Sequence, residues 1–250
     1  MVDPSKTVKH GLSPRRYFAI LACTVCLTVI APLFEHSRWS GVALGLLIIL
    51  TLLTAGISIT ESGRRRLRVV SLAVLSGAMW VAASCLKFPP FNSVPFELVA
   101  STTCLLFFSY ACYVMLQDIL SGAITTNRIC GAVCVYILAG FCFAIVHAMV
   151  AVADPTAYSE SAKYNSAEVF RTVPLEGRYP PFVYFSFCTL TTTGYGDIFP
   201  IGRLARSLSW LEAVFGQFYM AILVARLIGL HIANTRNSEE TLTKELVIKH

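Results

Sequence analysis

Apolar stretches of membrane-spanning length follow one another along the chain, separated by short polar segments. A helix needs about 20 mostly apolar residues to cross the hydrocarbon core of a bilayer. One shorter piece, Phe182–Thr191, predicts a re-entrant helix or a surface segment, because it is too short to span. Six longer stretches predict membrane-spanning helices over Tyr17–Phe34, Gly41–Ile59, Val69–Leu86, Phe96–Leu116, Ile129–Val152 and about Leu204–His231. The expected fold is therefore an all-α integral membrane protein with six transmembrane helices.

Composition and charge agree with this pattern and exclude several functions. Apolar residues make up 56% of the chain and charged residues 14%, whereas soluble domains contain about 45–50% and about 25%. The net charge of +6 does not indicate nucleic-acid binding, because the basic residues flank apolar stretches. No nucleophile elbow, phosphate-binding loop or HExxH motif occurs, so we predict neither an enzyme nor a bound cofactor.

Basic residues also predict the orientation in the membrane. With six spans, the side that holds both termini carries twelve Lys and Arg residues, and the opposite side carries seven. Because cytoplasmic loops are enriched in Lys and Arg, we predict a multi-pass protein of the cell membrane with both termini in the cytoplasm. The polar segment Asp154–Pro180 then lies outside and is interpreted as an external turret.

A motif with chemical meaning follows the short apolar piece, where residues 191–197 read TTTGYGD. Glycine at 194 and 196 permits backbone conformations that aim successive carbonyl oxygens in one direction, which a Cβ would obstruct. Rings of such carbonyls from several chains can replace the hydration shell of a cation. The hydroxyl of Thr192 would add the lowest ring of oxygens. Because one strand cannot surround an ion, the motif requires several copies of the chain.

This run resembles the signature of the potassium channel pore family, T-x-x-T-x-G-Y-G-D. The resemblance extends over about Ile129–Leu230 and implies a homotetramer with a re-entrant pore helix and a selectivity filter between the fifth and sixth spans. Thr193 stands where the family most often has Val or Ile, a departure that keeps the β-branched shape and the carbonyl. The matching residues are Thr189, Thr192, Gly194, Tyr195, Gly196 and Asp197. The resemblance implies that K⁺ binds at Thr192, Thr193, Gly194, Tyr195 and Gly196.

Positions around the filter carry over from the family by spacing. Asp197 would brace the filter at its outer mouth, and Tyr184, thirteen residues earlier, occupies a pore-helix position where the family often has Trp. The Tyr184 hydroxyl is expected to reach Asp197, with an ordinary interfacial aromatic as the alternative. Gly216, nineteen residues after Asp197, is either the hinge of the inner helix or a close-packing site. The helix face expected to line the inner cavity carries Gln217, Met220, Val224 and Ile228.

Six spans with a pore between the last two resemble the layout of voltage-gated channels. Those channels need arginines in the fourth span, because each charge that crosses the field contributes about 2.3 kcal/mol per 100 mV. The fourth span here has no Lys or Arg, so we predict no steep voltage dependence. The predicted domains are a cytoplasmic tail (1–16), a four-helix domain without sensor arginines (17–127), a pore domain (128–232) and a short cytoplasmic tail (233–250).

Ionisable residues inside the spans are candidates for regulation. Glu212 is expected behind the filter, where it either bonds the pore helix or titrates and couples pH to gating. Arg226 is expected to extend towards the interface, and His147 is interpreted as an isolated histidine. Asn237 is predicted to cap a short separate helix. Four arginines between the second and third spans predict topology anchoring or contact with anionic lipid, namely Arg64, Arg65, Arg66 and Arg68.

Three alternatives to a potassium channel remain. A weakly selective cation channel would usually lack the Tyr or a Gly of the filter, and this chain keeps Tyr195 between two glycines. A transporter built on a related pore loop would carry four pore units in one chain, whereas the motif occurs once here. A non-conducting scaffold could share the fold, since fold does not determine function.

Overall fold

The computed structural model describes residues 18, 21–22, 24–26, 70–79, 82, 94–120, 126–160 and 175–248. These residues form mainly helices. In chain order the elements are α1 (Val70–Met79), α2 (Val94–Leu120), α3 (Thr126–Ala153), β1 (Tyr158–Glu160), α4 (Leu175–Leu190), β2 (Ile198–Pro200) and α5 (Arg203–Ile248).

Three of these helices are long and apolar enough to cross a membrane, so the chain is a membrane protein. Their apolar spans are Leu98–Gln117 in α2, Arg128–Ala153 in α3 and Arg203–Arg226 in α5. They coincide with the predicted fourth, fifth and sixth spans. Of the first predicted span, the structure describes only residues 18, 21–22 and 24–26. The second predicted span and the four arginines at 64–66 and 68 lie outside the described residues, and α1 covers only part of the third span.

The described helices pack in a chain of neighbours, α2 on α3, α3 on α4 and α4 on α5. Contacts between aromatic rings join α2 to α3 and α3 to α4. Phe108 of α2 stacks on Phe141 of α3 with ring centroids 6.2 Å apart, and Phe141 meets Phe187 of α4 edge-on at 5.6 Å. Lipid tails are as apolar as these side chains, so their association depends on close van der Waals packing more than on exclusion of water.

A two-stranded antiparallel sheet connects the beginning of the predicted turret to the segment before α5. Tyr158 of β1 lies opposite Pro200 of β2, and Glu160 lies opposite Ile198. The carbonyl of Ala157 extends this pairing by accepting hydrogen bonds from the backbone N–H groups of residues 201 and 202, at 2.8 and 3.0 Å. No strand was expected here, because three residues are too few for an alternating pattern to show.

The last helix, α5, runs without a break for 46 residues. The prediction that Asn237 begins a separate helix is therefore wrong, since residue 237 lies inside a continuous α-helix. At 1.5 Å per residue α5 is about 69 Å long, more than twice the roughly 30 Å of a hydrocarbon core. Large apolar side chains on its span remain more than half exposed in the single chain, among them Trp210, Phe218 and Ile222.

Candidate functional site

The loop at residues 191–197 continues directly from the C-terminus of α4. Carbonyl groups in the last turn of the helix accept the first hydrogen bonds of the loop. The N–H of Thr193 donates to the carbonyl of Cys188 at 2.8 Å, and that of Thr192 donates to Thr189 at 2.9 Å. These bonds satisfy acceptors that a helix end leaves without partners. The start of the loop is therefore fixed to α4, while all seven of its residues are exposed in the single chain.

Three residues of the loop have a left-handed backbone. The φ angle is +58° at Gly194 and +77° at Gly196, which glycine adopts without steric penalty. Thr192 also has a positive φ, +57°, which is rare for a β-branched residue. Its hydroxyl donates to the carbonyl of Thr191 at 2.7 Å and accepts from Nε2 of Gln217 on α5 at 3.1 Å. This contact with Gln217 was not anticipated from the sequence, which placed that residue only on the cavity face.

Two tyrosines and one carboxylate support the outer half of the loop. The ring of Tyr195 stacks nearly parallel on that of Tyr184 in α4, with centroids 6.3 Å apart. Interaction with the Asp197 carboxylate raises the pKa of the Tyr184 phenol above its ordinary value. Asp197 also accepts a hydrogen bond from the N–H of Ile198 at 3.0 Å, next to strand β2. The loop is thus held to α4 at one end and to the sheet at the other.

Gly216 of α5 faces the end of α4 at the point where the loop begins. A Cβ at this position would overlap the carbonyl oxygen of Leu190 and lie 3.0 Å from its carbonyl carbon. The same carbonyl accepts a hydrogen bond from the Tyr136 hydroxyl of α3 at 3.2 Å. Gly216 therefore packs closely on the end of α4, within an unbroken part of α5.

Behind the loop lies a buried polar cluster of His147, Tyr158, Ser186 and Glu212, each at most 1% exposed. His147 contacts the Tyr158 hydroxyl through Nδ1 at 2.6 Å and a carboxyl oxygen of Glu212 through Nε2 at 2.9 Å. The Ser186 hydroxyl lies within hydrogen-bond distance of the other Glu212 oxygen and 2.7 Å from the carbonyl of Gly140. Burial raises the pKa of Tyr158 well above its ordinary value. The interpretation of His147 as isolated is therefore wrong.

The remaining candidate residues lie along α5. The side chains expected to line a cavity are exposed in the single chain, namely Gln217, Met220, Val224 and Ile228. Arg226 donates through Nη2 to the carbonyl of Leu120 at 3.2 Å, and so contacts the end of α2. This bond provides a partner for one of the carbonyls that the C-terminus of α2 leaves open. The described residues contain no group of His, Cys, Asp and Glu side chains suited to hold a metal ion.

Comparison with known proteins identifies one stretch of the chain. Residues 161–231 match a family model described as "Ion channel". This stretch contains the described part of α4, the loop, β2 and the apolar span of α5. None of the curated proteins matches the chain.

Proposed function

We propose, from the premise that residues 161–231 match an ion channel pore family, that the chain is a subunit of a potassium-selective channel. The observation that carries the proposal is the loop TTTGYGD between α4 and β2, with both glycines at positive φ. A short stretch of backbone with alternating handedness directs carbonyl oxygens towards a common side. Potassium filters use such rings of carbonyl oxygens in place of the water around the ion.

In the proposed mechanism, the conducting ions pass the backbone carbonyls of the loop. The ligands are the carbonyl oxygens of Thr192, Thr193, Gly194, Tyr195 and Gly196, joined by the Thr192 hydroxyl. Stacking of Tyr195 on Tyr184 sets the distance between the loop and α4. Asp197 holds the outer end of the loop through its bond to the following N–H. Gln217, bonded to the Thr192 hydroxyl, adds a support at the inner end.

The proposed assembly is a homotetramer in the cell membrane. One chain supplies one loop, and a ring of carbonyls needs several. Two observations support further chains around this one, since Tyr195 is 71% exposed and the apolar side chains of Trp210 and Phe218 are 58% and 64% exposed. In such a ring the inner ends of the four α5 helices enclose a cavity lined by Gln217, Met220, Val224 and Ile228. We propose both termini in the cytoplasm.

Potassium selectivity is tested with purified protein in planar bilayers under mixed K⁺ and Na⁺ gradients. We expect the reversal potential to follow the K⁺ gradient, because the carbonyl rings match the hydration of K⁺ better than that of Na⁺. A reversal potential midway between the two equilibrium potentials would favour the weakly selective cation channel instead. Absence of any current from correctly assembled protein would contradict the channel proposal and favour a non-conducting scaffold.

The same recordings test the prediction of weak voltage dependence. Helix α2, which contains the predicted fourth span, has no Lys or Arg along its 27 residues. Because a voltage sensor works by moving charge through the field, we expect the open probability to change only gradually between −100 and +100 mV, a window in which each sensor charge would contribute about 4.6 kcal/mol. An open probability that rises e-fold over a few millivolts would contradict this expectation.

A further inference from the structure

The buried cluster behind the loop joins four separate elements of the fold. His147 comes from α3, Tyr158 from β1, Ser186 from α4 and Glu212 from α5. Every polar atom in it that the structure describes lies close to a partner, in the order Tyr158, His147, Glu212, Ser186 and the Gly140 carbonyl. Each of these four contacts requires one proton between two heavy atoms. The positions of the protons therefore follow from counting donors.

The first two protons are placed by Tyr158. Its raised pKa keeps the phenol protonated, and the hydrogen bond recorded for this hydroxyl in the described structure is the one to Nδ1 of His147. A phenol that donates to Nδ1 leaves this nitrogen without a proton. The neutral imidazole then carries its proton on Nε2 and donates to a carboxyl oxygen of Glu212 at 2.9 Å.

The protons for the last two contacts, from Ser186 to Glu212 and from Ser186 to the Gly140 carbonyl, must come from Ser186 and Glu212. The Ser186 hydroxyl has one proton, but its oxygen approaches both the Gly140 carbonyl and Glu212. If Glu212 were ionised, both neighbours would be acceptors only, and one contact would bring lone pairs together with no proton between them. If Glu212 is a neutral acid, it donates to Ser186 and Ser186 donates to Gly140. All four contacts are then satisfied as one directional chain.

The surroundings of Glu212 favour the neutral form as well. Its side chain has no exposed area, and a buried carboxylate is unfavourable without a cationic partner. The ionisable groups that face it are His147 and Tyr136 of α3 and Tyr158 of β1, while α4 contributes the uncharged Ser186. Among the described residues, none of the interactions recorded for Glu212 involves Lys or Arg.

We propose that Glu212 is protonated in the conducting state and, as a neutral acid, is the positioning residue that holds α4 against α3 and α5. Ser186 lies on α4 one turn before Leu190, and the carbonyl of Cys188, two residues after Ser186, accepts hydrogen bonds from the loop N–H groups of residues 193 and 194. A fixed position of Ser186 therefore also fixes the carbonyl groups at the end of α4 that accept the hydrogen bonds of the loop. The use of K⁺ flux as a readout rests on the proposed function, whereas the protonation itself does not.

A definite pH dependence follows from this proton count. The neutral acid completes the chain at low pH, and raising the pH removes the proton that Glu212 donates to Ser186. The buried cluster then gains a negative charge and loses one hydrogen bond. K⁺ flux should therefore fall as pH rises, and it should recover when the pH is lowered again.

The experiment compares K⁺ flux of the wild type, Glu212→Gln, Glu212→Asp and Glu212→Leu in proteoliposomes over pH 5 to 9. A glutamine amide donates to Ser186 and accepts from His147 as the neutral acid does, so Glu212→Gln should conduct and lose the pH response. Leucine removes the hydrogen bonds that Glu212 makes with His147 and Ser186, and should lower K⁺ flux by about tenfold or more. The proposal is overturned if Glu212→Gln is as inactive as Glu212→Leu while Glu212→Asp conducts, or if Glu212→Gln keeps the pH response of the wild type.

Infrared spectroscopy of the purified protein gives a readout that does not depend on conduction. The wild type should show the carbonyl stretch of a buried carboxylic acid, and Glu212→Gln should lack that band. The absence of any difference between the two proteins at low pH would overturn the proposal. A band in a protein that carries no K⁺ flux would support the protonated Glu212 and contradict the proposed channel function, so the two failures are distinguishable.

Discussion

Replacing Gly216 by alanine is expected to abolish K⁺ flux and to lower the thermal stability of the protein. The added methyl group would overlap the Leu190 carbonyl oxygen and stand 3.0 Å from the carbonyl carbon. Backbone atoms cannot rotate away as a side chain can, and the same carbonyl is held by a hydrogen bond from the Tyr136 hydroxyl. Overpacking of this kind typically costs about 1–3 kcal/mol. Here the displaced atoms are the carbonyl group of Leu190, which is covalently bonded to the first residue of the loop.

Gly229 on the same helix provides the matched control. Apart from the adjoining residues and the backbone of the helix itself, no atom of the described residues lies within 4 Å of a Cβ built at this position. Alanine also favours a helix over glycine by about 1 kcal/mol. Gly229→Ala should therefore conduct and be at least as stable as the wild type. The thermal midpoint separates the two roles of Gly216, because loss of a hinge would stop conduction without lowering stability. A Gly216→Ala protein with unchanged midpoint would thus contradict the packing role.

Replacing Gly194 by L-alanine should also abolish potassium-selective conduction, for a different reason. Among the described residues beyond its two chain neighbours, no atom lies within 4 Å of a Cβ built at Gly194, so steric overlap within the chain is not the cause. The obstacle is the φ of +58°, which costs a residue with a Cβ about 1–3 kcal/mol. The loop would relieve that strain by rotating the peptide groups next to residue 194. Their carbonyl oxygens would then no longer point in the same direction as the other carbonyl oxygens of the loop.

D-Alanine, introduced by semisynthesis, separates backbone strain from the size of the methyl group. A D-residue adopts positive φ without penalty, so the D-alanine protein should retain K⁺ conduction while the L-alanine protein loses it. The measurement is the K⁺/Na⁺ reversal potential of each variant. Equal loss in both proteins would mean that the space beside Gly194 matters in the assembly, and would contradict the role assigned to φ.

The sequence predicted the described membrane spans well, because hydropathy depends only on local composition. The span of α2 starts within two residues of the predicted position, and that of α3 begins and ends within one residue of it. The positions of the loop glycines were also informative, since positive φ at Gly194 and Gly196 is a property of the residues themselves. Each of these features can be predicted without knowing which distant segments of the chain contact one another.

Most of the features that were missed depend on contacts between segments that are far apart in the sequence. His147 and Glu212 are 65 residues apart, and each appears in the sequence as a single polar residue within an apolar stretch. Nothing local indicates that they touch, or that Tyr158 closes the cluster. The sequence around Gly216 likewise does not indicate that this glycine contacts the backbone of Leu190. Asn237 has the character of a helix cap, but the continuous helix of α5 overrides it.

The unbroken course of α5 makes its far end a sensitive reporter of movement near the loop. Between Gly216 and Ile248 the helix extends about 48 Å at 1.5 Å per residue and has no interruption. If it pivots as a rigid rod about its contact with α4, a tilt of about 10° displaces the end by about 8 Å. In the proposed tetramer, spin labels placed near Ile248 on neighbouring subunits would convert a small opening near Gly216 into a distance change that is easily measured.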